Sequence, residues 1–416
     1  MPERLLLFLG AATYKAGAFL AAAARLGLEV VVASDRPQAL AGLNPQGHLT
    51  VDFRRPEEAA ASARRFHRRH PIAAVAAADD DGALPAATAA EALGLATSPA
   101  AAVAAALSKL ATREALARAG LPCPWFRPCR LDADPAALAE HLAFPCVVKP
   151  LDLSASRGVI RADDAADLAA AFRRLRRILG SRGAEILVEG FLPGREVAVE
   201  GLLTGGRLRV LALFDKPDPL DGPFFEETIY VTPSRLGAGA QEEIADAARR
   251  GAAALGLTRG PVHAELRFGD RGAWVLEIAP RSIGGLCSRV LRFAAVAAAP
   301  ACEEITLEEL ILRHALGLDV GGFERQRRAA GVMMIPVPRA GTLHRVGGLE
   351  SAAEVAAVEE VRITAVRGQE IAPPPEGSRY LGFIFARAAE PAVVEAALKA
   401  AHERLEIDIR QGAGNG

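Results

Sequence analysis

The chain has 416 residues with 49 basic and 50 acidic side chains, so it lacks the basic excess of a sequence-blind nucleic-acid binder. Hydrophobic residues are 51% and charged residues 24%, which excludes wholesale disorder, and the length allows about two to four domains. No apolar run reaches the ~18 residues of a membrane span. Five cysteines (Cys123, Cys129, Cys146, Cys287 and Cys302) show no CxxC spacing and read as reduced thiols, not as a disulfide or zinc framework. These features predict a cytoplasmic protein without nucleic-acid or membrane partners, for which a homodimer is the base-rate assembly.

RLLLFL at residues 4–9 reads as a buried strand, followed by a helix near 15–26 and a strand over 28–34. The start lacks a basic region and runs directly into this pattern, so it is read as a strand and not as a signal peptide. A helix near 57–69 and a strand over 72–78 follow, and the alternation predicts an open parallel sheet. The loop after the first strand, GAATYKAG, has no GxGxxG, which argues against a dehydrogenase. Asp79, Asp80 and Asp81 follow the strand at 72–78. Ligands bind at such strand ends, and helix N-caps use such acids; the N-cap is the preferred reading for at least one of them.

A helical stretch then runs to Gly120 and is broken by Pro122 and Pro124. The strand FPCVVKP, the loop LDLSASRGV, a basic helix near 163–179 and the strand EILVEGF come next. Strands from 195 to 232, a helix near 240–255, and strands at 261–268 and 273–280 joined by GDRG give the middle section an antiparallel α+β character. From about 325, short strands with Gly/Pro turns lead to the helix PAVVEAALKAAHERL, and QGAGNG reads as a frayed tail.

Only five of the 49 basic residues are lysine: Lys15, Lys109, Lys149, Lys216 and Lys399. Arginine replaces a lysine that merely solvates. The survivors are therefore enriched for places where a compact ammonium cannot give way to a planar fork, with chance survival as the competing reading.

Glu265 and Glu277 lie on consecutive strands joined by a tight turn, which can set their carboxylates side by side. Paired carboxylates repel unless a divalent cation lies between them; an ordinary charged sheet face is the alternative. Arg281 follows in a Pro/Gly loop and suits a polyanionic transition state. Lys149 ends a strand before a flexible loop with Ser154, Ser156 and Gly158, a composition suited to cradling phosphate. Glu189 and Glu196 flank a strand-turn, and Glu196 could accept two ribose hydroxyls.

The order of these motifs (a lysine-bearing helix, VVKP, the Ser/Gly loop, VEGFLPGRE, AELR and EIAPR) resembles the ATP-grasp superfamily over about residues 105–290. The flanking pieces resemble a pre-grasp domain and a biotin-carboxylase-like C-terminal lobe. The resemblance implies an open parallel α/β domain over 1–105, an ATP-grasp domain over 106–318 with its lid subdomain at about 145–195, and an α+β lobe over 319–416 that completes the grasp. It implies that Lys109 and Lys149 contact ATP phosphates under a lid of Ser154 to Gly158, including Ser156. Glu189, Phe191 and Leu192 would form the adenine hinge, and Glu196 would hold the ribose. Glu265 and Glu277 would bind one or two Mg²⁺ ions, or Mn²⁺, and Arg281 would stabilise the acyl phosphate. Ala279 stands where the family usually has Asn, which removes an amide oxygen from the second metal's shell.

The segment FDKPDPLDGPFFEETIYVTPS is too rich in turn residues for a plain strand, and with EIAPRSIGG it resembles the L-amino-acid ligases. Glu226 or Glu227, of which one can face a site, is the candidate for a substrate ammonium, with Tyr230 beside it. His263 is read equally as a substrate contact or as a structural hydrogen-bonding group. Gly284 and Gly285 would leave room for a bulky substrate group. The predicted activity is ATP-dependent joining of a small carboxylate and an amine through an acyl phosphate, one substrate being an L-amino acid. A carboxyphosphate-using carboxylase and a non-catalytic nucleotide-binding module are the alternatives.

Overall fold

The computed structural model describes residues 2–11, 13–36, 47–180, 184–296 and 304–411. Cys302 and the tail residues 412–416 lie outside them; the four described cysteines are free thiols.

The N-terminal part is a parallel sheet ordered His48–Thr50, Glu29–Ser34, Arg4–Phe8 and Ala74–Ala77. Its middle strand buries Leu5, Leu6 and Leu7 completely, as a strand covered on both faces must. The helix Asp80–Ala92 starts directly after the last of these strands and brings three aspartates to the sheet's carboxyl end. Two helices, Ala100–Leu107 and Lys109–Arg118, are separated at Ser108, whose hydroxyl accepts the Ala111 N–H at 3.2 Å. This cap starts a new helix direction and sets Lys109 in its first turn.

A four-stranded antiparallel sheet follows, ordered Phe126–Arg130, Glu185–Gly190, Cys146–Pro150 and Ile160–Ala162. The helix Ala165–Leu179 covers it with Leu168, Ala171, Phe172 and Leu175, one apolar stripe at helical spacing. Asp164 caps the start of that helix, and Gly180 ends it in the left-handed conformation that glycine takes without penalty.

The largest element is an eight-stranded antiparallel sheet: Gly272–Ala279, Gly260–Gly269, Arg195–Thr204, Arg207–Asp215, Ile229–Thr232, Ala329–Ile335, Gly382–Ala388 and Val358–Ile363. Its last three strands come from the C-terminal section and continue the ladder of the middle section. The mixture of a parallel α/β layer, a grasp of antiparallel sheets and a sheet-rich C-terminal lobe is the predicted fold class. The segment before Ile229 makes no long strand, as its turn residues required.

Candidate active site

One cavity of about 730 Å³ opens where these sheets meet, a volume typical of small-molecule sites. Of the residues singled out in the sequence, Lys109, Lys149, Ser154, Ser156, Glu189, Phe191, Leu192, Glu196, Glu227, Tyr230, His263, Glu265, Glu277, Arg281 and Gly285 all line it. Gly158 and Glu226 do not. Gly158 turns the chain at φ 74°, where a Cβ would meet Pro150 at 2.7 Å, so it shapes the loop from behind. Glu226 has an unpartnered buried oxygen, and burial pushes its carboxyl up.

At one end lie the lysines. Lys149 reaches Glu189 at 2.5 Å, and Arg113 reaches the same carboxylate through Nε at 2.8 Å. Burial alone would raise the Glu189 carboxyl, but Arg113 and Lys149 outweigh it and hold it at about 2. Lys109 donates to the Leu153 carbonyl, which ties the first helix turn to the Ser/Gly loop. Phe191 presents its ring to Arg161, 4.2 Å away, and gives its N–H to Pro145 at 3.0 Å. The Leu192 N–H has no protein acceptor among the described residues, and Leu192 lines the cavity next to Phe191.

In the middle, Glu265 and Glu277 are direct partners in the antiparallel ladder, as the tight turn required. A bulge inserts Leu276 beside them and directs it into the cavity as well. Desolvation and then Glu265 push the Glu277 carboxyl above its ordinary value, against the opposing charges of Lys109 and Arg281; among the described residues it forms no direct ion pair. Two mutually repelling oxygen donors, of which only Glu265 has an ion-pair partner among the described residues (Lys216 at 3.5 Å), fit a hard divalent cation. Ala279 is buried, pairs with His263 and offers no ligand atom there.

A second acidic group, Glu196, Glu227 and Glu265, converges within 4.8 Å. Its charge is already met by Lys216, whose Nζ lies 2.7 Å from Glu196, 2.6 Å from Glu227 and 3.5 Å from Glu265. Burial opposes the Lys216 charge, yet the three carboxylates hold its pKa well above the usual range. Tyr230 Oη donates to Glu227 at 2.8 Å. Glu227 is therefore the member of the acidic pair that faces the cavity, but its oxygens are engaged. Glu196 is also bonded to Arg267 at 3.1 Å, and a carboxylate with two cations retains further lone pairs. His263 is buried, 3.3 Å from Glu265, and burial lowers its pKa, so it is neutral at neutral pH.

At the far end Arg281 pairs with Asp80 at 2.8 Å. Lys15 is buried between the Ala78 and Ser282 carbonyls, both at 3.0 Å, and lies 3.6 Å from Asp79. Burial, then Arg281, lower its pKa to about 8. The N-cap expectation needs correction. Asp79 sits at the cap position, but no side-chain capping bond forms, because Lys15 and Arg281 draw Asp79 and Asp80 toward the cavity. Asp81 also lines the cavity and has no cation partner among the described residues; burial, then Asp80, raise its carboxyl. The space expected at Gly285 is taken: Met334 Sδ lies where its side chain would begin. At Gly284 the nearest atom is Tyr14 Oη at 3.4 Å, ordinary contact distance, and the same hydroxyl accepts the Gly285 N–H at 2.7 Å.

Sequence reasoning missed Arg113, Lys15, Lys216 and Tyr14 as site residues, and left Asp81 between a ligand site and a helix cap. Rarity was the signal for the lysines and for Tyr14. Lys15, Lys109 and Lys149 line the cavity, Lys216 bonds acids that do, and all three tyrosines (Tyr14, Tyr230 and Tyr380) line it.

Comparison with known proteins agrees with this architecture. Residues 142–290 match the ATP-grasp domain, residues 20–97 the ATP-grasp N-terminal domain, and residues 333–410 the L-amino acid ligase C-terminal domain 2. The chain therefore carries ATP-grasp domains followed by a C-terminal domain that matches the one described for L-amino acid ligases. Its fold superposes on the crystal structure of an L-amino acid ligase from Bacillus licheniformis with a TM-score of 0.78 and 28% identity, covering 98% of this chain and 99% of that one. The D-alanine–D-alanine ligase of Desulforudis audaxviator is 32% identical over 42% of this chain and 58% of its own length. A carboxyaminoimidazole ribonucleotide synthase from Aspergillus clavatus, complexed with ATP, shares the fold at a TM-score of 0.71 and 17% identity, covering 97% of this chain and 99% of that one. The chain spans about three fifths of the length of the first curated relatives it matches, 61% and 58%. No helix among the described residues is long and apolar enough to cross a membrane.

Proposed function

We propose that the chain is an ATP-dependent, ADP-forming carboxylate–amine ligase, with an L-amino acid as one substrate. A single observation carries the reading: one cavity holds Lys109 and the Glu189-paired Lys149 at one end, the opposed Glu265 and Glu277 in the middle, and Arg281 at the far end. The ligase likeness of the C-terminal domain favours amide formation.

In this reading the phosphates of ATP lie along Lys109 and Lys149, under Ser154 and Ser156. The adenine meets the Leu192 N–H at the hinge, and Glu196 offers its remaining lone pairs to the ribose. Glu265 and Glu277 would hold Mg²⁺, which when bound supplies neutralising charge for the phosphates. Arg281 binds the substrate carboxylate, which takes the γ-phosphoryl group to give an acyl phosphate and ADP. The amine nitrogen then attacks the acyl carbon, the bond to the phosphate oxygen breaks, and amide and phosphate result. Glu227 is engaged with Lys216, so the acid that meets a substrate ammonium is assigned to Asp81. The proposal divides the chain near 105 and 318 and sets it in the cytoplasm, which the free thiols suit.

The test is ADP release with and without a mixture of L-amino acids, followed by mass spectrometry of the product. ADP release that depends on the amino acids and matches a new amide is expected. Release that responds to bicarbonate and not to any amino acid would replace the ligase with a carboxylase.

A further inference from the structure

The loop at 151–159 and the helix behind it are gripped from two sides by segments outside their own sheet. On one side, Arg174 of the helix Ala165–Leu179 forms a forked pair with Glu376, Nε to Oε1 at 2.6 Å and Nη2 to Oε2 at 2.8 Å. Arg157 donates to the Glu376 carbonyl at 3.0 Å, and the Gly158 N–H donates to Pro375 at 3.0 Å. On the other side, the Arg161 N–H donates to Pro223 at 2.9 Å, its Nη1 to Asp221 at 2.6 Å, and the Arg174 guanidinium lies 4.5 Å from the Phe224 ring.

Each strap continues directly into the cavity wall. Arg379 and Tyr380 follow the segment with Pro375 and Glu376, and Phe225 and Glu227 follow the segment from Asp221 to Phe224. Within a few residues, then, the same two segments hold the loop and line the space for the substrates. The loop itself carries Ala155 and Ser156 at φ 53° and 55°. Left-handed non-glycine residues are strained and persist where the surroundings hold them.

We propose that the Arg174–Glu376 clasp is a positioning device that keeps the Ser/Gly loop closed over the reaction and couples ATP use to amide formation. This rests on the ligase reading. With the clasp broken, water reaches the acyl phosphate and adds to its carbonyl carbon. The bond to the phosphate oxygen then breaks and the carboxylate is regenerated, so the net reaction is ATP plus water to ADP plus phosphate. Neither residue touches the reacting atoms.

The test uses the full chain as wild type, Glu376→Gln, Arg174→Gln, and the double swap Arg174→Glu with Glu376→Arg. Two readouts are taken: ADP formed per amide formed, and the dissociation rate of a fluorescent ADP analogue. For a half-exposed forked pair, each single variant should raise the dissociation rate about threefold to fivefold. ADP per amide should rise with it, and the swap should restore both. A purely structural ion pair would leave the ADP-to-amide ratio unmoved. Unchanged dissociation and an unchanged ratio in both single variants would overturn the proposal. If no amino acid yields an amide, the dissociation rate still decides: acceleration restored by the swap keeps the clasp while the ligase reading falls.

Discussion

Glu189 and Glu277 face the same cavity under opposite electrostatic conditions. Glu189 is fully enclosed by Arg113 and Lys149 and is held at about 2. Glu277 is exposed in the cavity, has Glu265 as its strand partner, and is pushed up. A buried acid with two cations is already satisfied and fixes the positions of those cations. An acid opposed to another acid is unfinished, and a bound cation completes it. The difference separates a residue that organises the site from one that awaits a ligand.

Breaking the satisfied side should have the largest effect. Arg113→Leu leaves Glu189 with Lys149 alone in a dry environment, and should cost about 3 kcal/mol of stability, read from denaturant unfolding. An unchanged midpoint would mean that Arg113 is not needed to neutralise Glu189. On the unfinished side, Glu277→Ala should leave the fold intact and lower turnover by ~10²-fold or more. Near-wild-type turnover with the same Mg²⁺ optimum would remove Glu277 as a metal ligand.

Lys149→Arg sharpens the comparison at the shared lysine. The wider guanidinium cannot fit both Glu189 and a phosphate as a compact ammonium does. A higher KM for ATP and a loss on the order of tenfold in kcat/KM are expected. Kinetics indistinguishable from wild type would end the retained-lysine reasoning. For substrate selection, Asp81→Asn should shrink the preference for an amino acid over its des-amino analogue by about tenfold, while Glu227→Gln should change it less. The opposite ranking would return the ammonium to Glu227.

Acidity should split the two glutamates further. The Glu189 carboxyl is lowered from its ordinary 4.5 to about 2, so its stabilising share is complete above pH 4.5 and is lost as pH falls toward 2. Glu277 is raised, so its ionisation works against the fold, and protonation relieves that cost at a pH above the ordinary glutamate value. Metal binding needs the ionised form. The acid limb of kcat/KM should therefore fall above the usual glutamate range; a limb within that range would place another group in control.

Much of the site was legible because its chemistry is local in sequence. The turn between Gly260–Gly269 and Gly272–Ala279 has only two residues, so the pairing of Glu265 with Glu277 follows from hairpin geometry. Glu189 and Glu196 flank a similarly short turn. Contacts between distant segments were not legible. Asp80 meets Arg281 across about half of the chain, and Tyr14, in the loop after the first strand, takes the Gly285 N–H from far away in sequence. Spacing is silent on such pairs, and a short acidic run after a strand looks the same whether it caps a helix or answers a remote arginine. Arg113 stood four residues after Lys109 on one helix face, a legible signal that its ordinary surroundings concealed.

The most direct test is the melting temperature of wild type, Glu189→Gln and Glu277→Gln at pH 7, each with and without Mg²⁺ and ADP. The account predicts that Glu189→Gln melts below wild type, because Arg113 and Lys149 lose their counter-charge. Glu277→Gln should melt at or above wild type without ligand and lose most of the rise that Mg²⁺ and ADP give the wild type. A Glu277→Gln protein that melts lower and still shows the full ligand-induced rise would contradict it.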